Sequence, residues 1–436
     1  MRLSNIQPRE GVGDMKFYIR TAVFILSLLI TAMVVIPASA GPGTGVNIYI
    51  DNTLLKIPAG DQGPFIENGR TYVPIRVVAE NLGVKVDWRA ETNQVIITSQ
   101  DNPPPPPARL NKNTYDVEIV INGTVLSIPP SYGKARITPA GRTVVPLRAV
   151  GEALGCDVNW VEATRSVMIE SAPYKLLEEL ASYRSNLRLL DGRVVNSADL
   201  PAMGVKAFDA IQLQEFQKAK ELLAPYKPEI KLPDGTVIKT AELTIMGKAV
   251  LTADQLKAWM ARETPRIAEK MRREYGREML PIPIELVDLY LKIGAEYGIR
   301  GDLAFAQAVK ETGYFQFTGG VKPEQNNYCG LWATSQPLTG QEPLNGADPQ
   351  AVKLQPGFYG ASFATPAIGV EAHIQHLYAY ATNAPLPAGK RLYDPRFNLV
   401  PRGTAPTWVG LNARWAVPGT TYGQSIIQDY WQKALQ

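Results

Sequence analysis

The chain has 436 residues, 45% of them hydrophobic and 20% charged, with a formal net charge of +4. That length exceeds one ordinary core, so about two to four domains are expected, and the composition excludes wholesale disorder. The near-balanced charge lacks the basic stripe of a nucleic-acid binder, and two histidines with two cysteines are too few to build a zinc, haem or iron–sulfur centre. No metal and no cofactor are expected, and Cys156 and Cys329 are expected as free thiols because they fall in different regions.

At the N-terminus, Lys16 and Arg20 precede an apolar run from Ala22 to Ile36, followed by Pro37 and Ala38-Ser39-Ala40. A charged flank, an apolar run and an A-x-A site mark residues 1–40 as a secretory signal peptide. An uncleaved membrane anchor is the alternative. With cleavage, the protein is expected to be secreted, extracellular or wall-associated, with no further membrane contact.

An internal repeat follows. Ile50-Asp51-Asn52-Thr53-Leu54-Leu55-Lys56-Ile57-Pro58 recurs as Ile121-Asn122-Gly123-Thr124-Val125-Leu126-Ser127-Ile128-Pro129. Gly69-Arg70-Thr71-Tyr72-Val73-Pro74-Ile75-Arg76 recurs as Gly141-Arg142-Thr143-Val144-Val145-Pro146-Leu147-Arg148, and Val86-Asp87-Trp88 as Val158-Asn159-Trp160. Each unit reads as strands, a short helix (76–81 and 148–153) ending at a Leu-Gly, and two alternating strands that close it. Two small α+β modules, 46–100 and 116–171, are therefore expected. Between them lies a Pro-rich linker, 101–115, whose Pro103–Pro107 run should form a stiff spacer. Trp88 and Trp160 are expected in the module cores. The units resemble copper amine oxidase N-terminal-like stalk domains. Neither repeat contains a histidine, so copper ligation has no chemical basis here, and a spacer or wall-contact role remains.

Residues 172–243 read as a helical connecting segment, with helical spacing at 174–190 and 211–223 and a turn at 232–237. From residue 244 the pattern is mainly helical. Thr252-Ala253-Asp254-Gln255 is a capping box opening a helix through Ala261; Glu285–Tyr297 stops at Gly298, and Asp302 caps Leu303–Glu311.

Glu311 is the candidate for acid chemistry. It borders the inward face set by Phe305, Ala308 and Val309, at the last turn of its helix. The negative end of the helix dipole and partial burial both raise a carboxyl's pKa there, as a glycosidic general acid requires. On position alone, an exposed Glu ending an ordinary helix is the stronger reading.

The string Ala304-Phe305-Ala306-Gln307-Ala308-Val309-Lys310-Glu311-Thr312-Gly313, followed by Asn326-Asn327-Tyr328-Cys329-Gly330-Leu331, resembles the glucosaminidase family of wall hydrolases, glycoside hydrolase family 73. Gly369–Leu377, Asp394–Phe397 and Trp415–Gly423 extend the resemblance over about 244–436. It implies a mainly helical lysozyme-like domain behind the two α+β modules, hence a multidomain α+β protein. It also implies a peptidoglycan hydrolase cleaving β-1,4 glycosidic bonds, with Glu311 as the general acid. The second catalytic group is expected in the lobe 340–363, which offers Glu342 and Asp348; Glu324 is a third candidate, and the substrate's own N-acetyl group could replace a carboxylate. Where related enzymes carry a Tyr-Ala-x-Asp-Pro motif, Trp415 stands here, with Tyr422 shortly after. Asn327, Tyr328, Trp332, Trp415 and Tyr422 are expected at the substrate, a peptidoglycan glycan strand.

His373 and His376, at i, i+3 on one helix, point to a satisfied buried histidine rather than a ligand pair. Two rivals remain. Cys329 paired with a histidine would make a cysteine wall peptidase, and a glucosaminidase fold without activity would make a wall-binding or structural protein.

Overall fold

The alternating apolar residues of the two repeats form strands in the computed structural model, which describes residues 45–99, 104–108, 116–232 and 234–436. The expected export segment, 1–40, lies outside the described residues, as does most of the expected linker. The first repeat supplies β1 (Asn47–Ile50), β2 (Thr53–Leu54), β3 (Phe65–Glu67), β4 (Arg70–Pro74), α1 (Ile75–Asn81), β5 (Lys85–Arg89) and β6 (Gln94–Thr98). The second supplies β7 (Glu118–Ile121), β8 (Thr124–Val125), β9 (Arg136–Ile137), β10 (Thr143–Pro146), α2 (Leu147–Ala153), β11 (Asp157–Val161) and β12 (Ser166–Glu170).

The repeats are interlocked, not the two separate modules that the repeat pattern suggested. The sheets run β11-β12-β1-β2, β5-β6-β7-β8 and β3-β4-β10-β9, so each contains strands of both repeats. β1 lies parallel to β12 with Ile50 beside Ile169, and β7 lies parallel to β6 with Ile97 beside Ile121. The exchange has a physical reason: a lone two-stranded hairpin is marginal in water, and pairing with the other repeat's hairpin makes a four-stranded sheet. A parallel pair needs a long crossover, and the Pro-rich stretch supplies it between β6 and β7. Gln94 Nε2 donates to the Pro107 carbonyl at 3.3 Å, which ties the described part of that stretch, 104–108, to the sheet. Val73 and Val145, equivalent in the two repeats, oppose each other across β4 and β10 and mark a pseudo-dyad. Trp88 and Trp160 are not core residues. They sit on the edge strands β5 and β11, where Trp88 is 38% exposed and Trp160 half-buried.

The connecting segment folds as α3 (Ala172–Ser182), β13 (Asn186–Arg188), β14 (Val194–Asn196) and α4 (Ala210–Leu223) around its own core of Leu177, Leu180, Leu187, Leu200, Phe216 and Leu223. The helix expected to reach 190 stops at Ser182, because Leu187 enters the core from a hairpin. β15 (Glu229–Lys231) and β16 (Val237–Lys239) flank the expected turn.

The C-terminal part is helical: α5 (Ala253–Tyr275), α6 (Glu285–Tyr297), α7 (Gly301–Glu311), α8 (Pro366–Ala381) and the single turn α9 (Tyr422–Ser425), with a small lobe on β17 (Val352–Lys353) and β18 (Ser362–Phe363). The Thr252–Gln255 capping box forms, but α5 runs through Pro265 to Tyr275, held by Trp259, Met260, Ile267 and Met271 in the core. The many apolar contacts of that face outweigh the local cost of proline. α6 and α7 touch backbone to backbone at Gly294 and Gly301, where any side chain would collide with the partner helix. Asp302 does not cap α7 as expected. It is fully buried and accepts hydrogen bonds from the amides of Val250 and Leu251, at 2.9 and 3.1 Å, and from Trp431 Nε1 at 2.8 Å. Small sheets in the N-terminal part and helices in the C-terminal part make the chain a multidomain α+β protein. Among the described residues, no helix is long and apolar enough to cross a membrane.

Candidate active site

α7 is the central helix of the C-terminal part. Residues 301–309 are all buried, and Glu311 emerges at its end, where its side chain meets solvent. Thr312 closes the helix by donating from Oγ1 to the Ala308 carbonyl at 2.7 Å. The carboxylate is thus displayed by a rigid element at the negative end of the helix dipole.

Behind Glu311 runs a buried chain of hydrogen bonds. The Tyr422 hydroxyl donates to Glu311 Oε1 in a short contact. Gln307 Nε2 donates to the Tyr422 oxygen at 2.8 Å, and Gln307 Oε1 faces His373 Nε2 at 3.0 Å. His373 Nδ1 in turn lies 2.8 Å from the Tyr290 hydroxyl. An amide oxygen only accepts, so His373 Nε2 carries the proton and Nδ1 accepts from Tyr290. Every donor in the series then points towards Glu311. Full burial depresses His373 to about 3, which keeps it neutral and preserves that polarity.

Two opposing effects act on Glu311. The protein packed around its base raises its carboxyl above the usual value, although solvent reaches its tip; the Tyr422 hydrogen bond and the Lys310 charge pull it back down. The net direction is upward. Tyr422 is pushed well above an ordinary phenol by burial and by the Glu311 charge, so it stays a donor. Lys310 is tethered to Ser425 Oγ at 3.0 Å.

The segment bearing Tyr422 is braced from several sides. Asn412 Nδ2 donates to the Thr420 carbonyl at 2.6 Å, while its Oδ1 accepts from the Gly423 amide at 2.7 Å. Gly423 sits against the Trp408 carbonyl, leaving no room for a side chain. Trp415 stacks on Tyr422 with centroids 6.4 Å apart and meets His376 edge-on at 4.8 Å. The connecting segment joins in. Gln424 donates to Ser185 Oγ, Asn186 Nδ2 to the Gly410 carbonyl at 2.6 Å, and the Tyr226 hydroxyl to Asp429 at 2.9 Å.

Of the other residues expected at the site, Asn327 is buried and serves as a scaffold. Its Nδ2 donates to the Leu331 and Ala361 carbonyls and its Oδ1 accepts from the Leu331 amide. Tyr328 is 4% exposed, with its hydroxyl on Asn326, so neither residue offers a face to a sugar. Trp332 and Trp415 are half-buried. In the lobe, Glu342 accepts from the amides of Thr339 and Gly340 at 2.7 and 2.9 Å, which holds its carboxyl below the usual value and makes it part of a turn. Asp348 is paired with Arg391 at 3.1 Å and accepts from the Gln350 amide. Glu324 is exposed, with no hydrogen-bond or ion-pair partner among the described residues.

Cys329 is buried and its thiol is pushed well above the ordinary range, which disfavours a thiolate nucleophile. His376 is engaged with Asp394 at 2.8 Å, pinning the loop after α8. Among the described residues no cluster of three or more His, Cys, Asp or Glu could hold a metal ion. Sequence reasoning missed Tyr290 and Gln307, although Gln307 lies four residues before Glu311 and so on the same helical face.

Comparison with known proteins agrees with this layout. Residues 49–169 match the copper amine oxidase N-terminal domain family, in one stretch that spans both interlocked repeats. Residues 287–432 match the mannosyl-glycoprotein endo-beta-N-acetylglucosaminidase family, and Glu311, Tyr422 and the chain behind them all fall inside that match. An uncharacterized protein of Borreliella burgdorferi is 38% identical over 119 residues, which are 27% of this chain and 48% of that protein. The chain therefore spans about half the length of that curated relative. No solved structure matches. The chain thus carries, in order, a region similar to the copper amine oxidase N-terminal domain family and a region similar to the mannosyl-glycoprotein endo-beta-N-acetylglucosaminidase family.

Proposed function

We propose that the protein is a secreted peptidoglycan hydrolase that cuts β-1,4 bonds of the glycan strand as an endo-β-N-acetylglucosaminidase, with Glu311 as general acid. The observation that carries this reading is the state of Glu311: accessible, raised in pKa, and held through one oxygen by Tyr422. Because Oε1 accepts from Tyr422, the acid proton resides on Oε2, the oxygen with no protein partner among the described residues. From there it passes to the glycosidic oxygen as the bond to the anomeric carbon breaks. The polarity of the Tyr290–His373–Gln307–Tyr422 series keeps this division of labour between the two oxygens.

The second role falls to the substrate. Both oxygens of Glu342 are engaged in a turn and Asp348 is ion-paired with Arg391, and of what remains, the exposed Glu324 and the sugar's own 2-acetamido oxygen, we assign the nucleophile to the acetamido oxygen. Water then opens the resulting ring, with Glu311, now ionised, accepting its proton. Clearing of suspended peptidoglycan tests the reading. Glu311→Gln should slow it by at least about a hundredfold, the usual worth of a general acid, whereas Glu342→Gln should stay within a few-fold of wild type. A large loss in Glu342→Gln would return the second role to a carboxylate.

A further inference from the structure

Among the described residues, two clefts of the N-terminal region that the hydrolase reading leaves unused are each lined by both repeats. One, of about 450 Å³, sets Arg70 of the first repeat beside Arg148 and Trp160 of the second. The other, of about 480 Å³, sets Arg142 of the second repeat beside Arg76 and Trp88 of the first. The same three positions line both clefts, exchanged across the pseudo-dyad.

The divergence of the repeats makes this recurrence informative. Exposed positions nearby have changed: Asn81 against Ala153, Lys85 against Asp157, Arg89 against Val161, Glu91 against Ala163. Burial accounts for the retained Val73/Val145 and Ile97/Ile169 pairs, but not for tryptophans on edge strands. Arg76 and Arg148 stand second in α1 and α2, where the helix dipole disfavours a cation and neither helix has an acidic residue in its first turn. Arg76 has no hydrogen-bond or ion-pair partner among the described residues, and Arg148 has only long contacts, to Glu152 at 3.9 Å and to the Val158 carbonyl at 3.5 Å. Arg70 and Arg142 are fixed through Nε, to the Ser131 carbonyl at 2.7 Å and to Asp61 at 2.5 Å. Trp160 Nε1 donates to Glu162 at 2.5 Å, whereas among the described residues the side chains of Arg76 and Trp88 have no hydrogen-bond or ion-pair partner.

We propose that the paired clefts bind the glycan strand of peptidoglycan, each stacking its tryptophan on a sugar ring and using its two arginines on the acetamido and carboxylate oxygens. An indole is amphipathic and flat, and a guanidinium presents a rigid fork of donors suited to paired oxygens. The cleft volumes fall in the range of small-ligand sites, large enough for a sugar unit. Two equivalent sites on one polymer would act together, so a weak single contact becomes a firm hold. The choice of wall glycan as ligand rests on the proposed hydrolase function.

Co-sedimentation of the full chain with purified peptidoglycan tests this, using Glu311→Gln as the parent so that the polymer stays intact. Trp88→Ala with Trp160→Ala should raise the apparent Kd at least about a hundredfold, and each single change should raise it less. Arg76→Gln with Arg148→Gln should weaken binding in the same direction, and tyrosine at both tryptophan positions should restore most of it. A parent that does not sediment, or a double alanine variant that sediments like the parent, overturns the proposal. So does a loss that the arginine changes do not share and tyrosine does not repair, since that pattern belongs to a folding defect. Hydrolysis by the unsubstituted chain is scored separately: its absence would defeat the hydrolase reading while sedimentation still decides the clefts.

Discussion

Tyr422 decides the protonation of Glu311 more than any other side chain near it. Its hydrogen bond stabilises the carboxylate, so removing it must raise the Glu311 pKa further. A general acid works while protonated, and its rate falls as pH rises through its pKa. Tyr422→Phe should therefore shift the alkaline limb of the pH–rate profile to higher pH, while lowering the peak rate through lost orientation. An unmoved or downward-shifted limb would contradict the assignment. His373 makes a different prediction. Its folded pKa, about 3, lies below the ordinary 6.5, so between these values the unfolded chain binds a proton that the native state refuses. Stability should fall as pH drops through that window, by up to about 1.4 kcal/mol per pH unit from this residue. His373→Gln should flatten the urea-derived stability curve between pH 6.5 and 3; an unchanged slope would mean that the imidazole is not held neutral. Glu311 was legible in the sequence because a motif surrounds it. The relay was not, since glutamine and tyrosine inside a helix look like ordinary core-facing residues until the partner helix is in place.

At the scale of elements, the internal repeat was plain but its topology was not. Identical patterns at 47–98 and 118–170 are satisfied equally by two separate modules or by one body with exchanged hairpins. Alternation says which face of a strand is buried, not which strand lies beside it. The parallel pairings of β1 with β12 and β6 with β7 settle it for the exchanged form. A fragment of residues 45–100 should consequently remain unfolded, with dispersed amide signals absent from its NMR spectrum, whereas residues 45–171 should fold. A folded 45–100 fragment would refute the exchange. Helix ends were misjudged for similar reasons. α5 passes Pro265 because its apolar face continues to Met271, and the helix predicted through 190 ends early because Ser185 and Asn186 are drawn into contact with the segment that holds Tyr422.

Across the whole molecule, the connecting segment changes the division of labour that composition suggested. It has its own small core, yet its polar residues reach Gly410, Gln424 and Asp429, within the stretch that holds Tyr422. Nothing in its amphipathic helices announced this, because the contacts lie more than 200 positions apart in the chain. Mass spectrometry of the fragments that the protein releases from purified peptidoglycan tests Glu311 and the bond it cuts together. Wild type should release fragments ending in reducing N-acetylglucosamine, and Glu311→Gln should release none above background. Fragments ending in reducing N-acetylmuramic acid would rule out the glucosaminidase bond, and equal release by both proteins would rule out Glu311 as the acid.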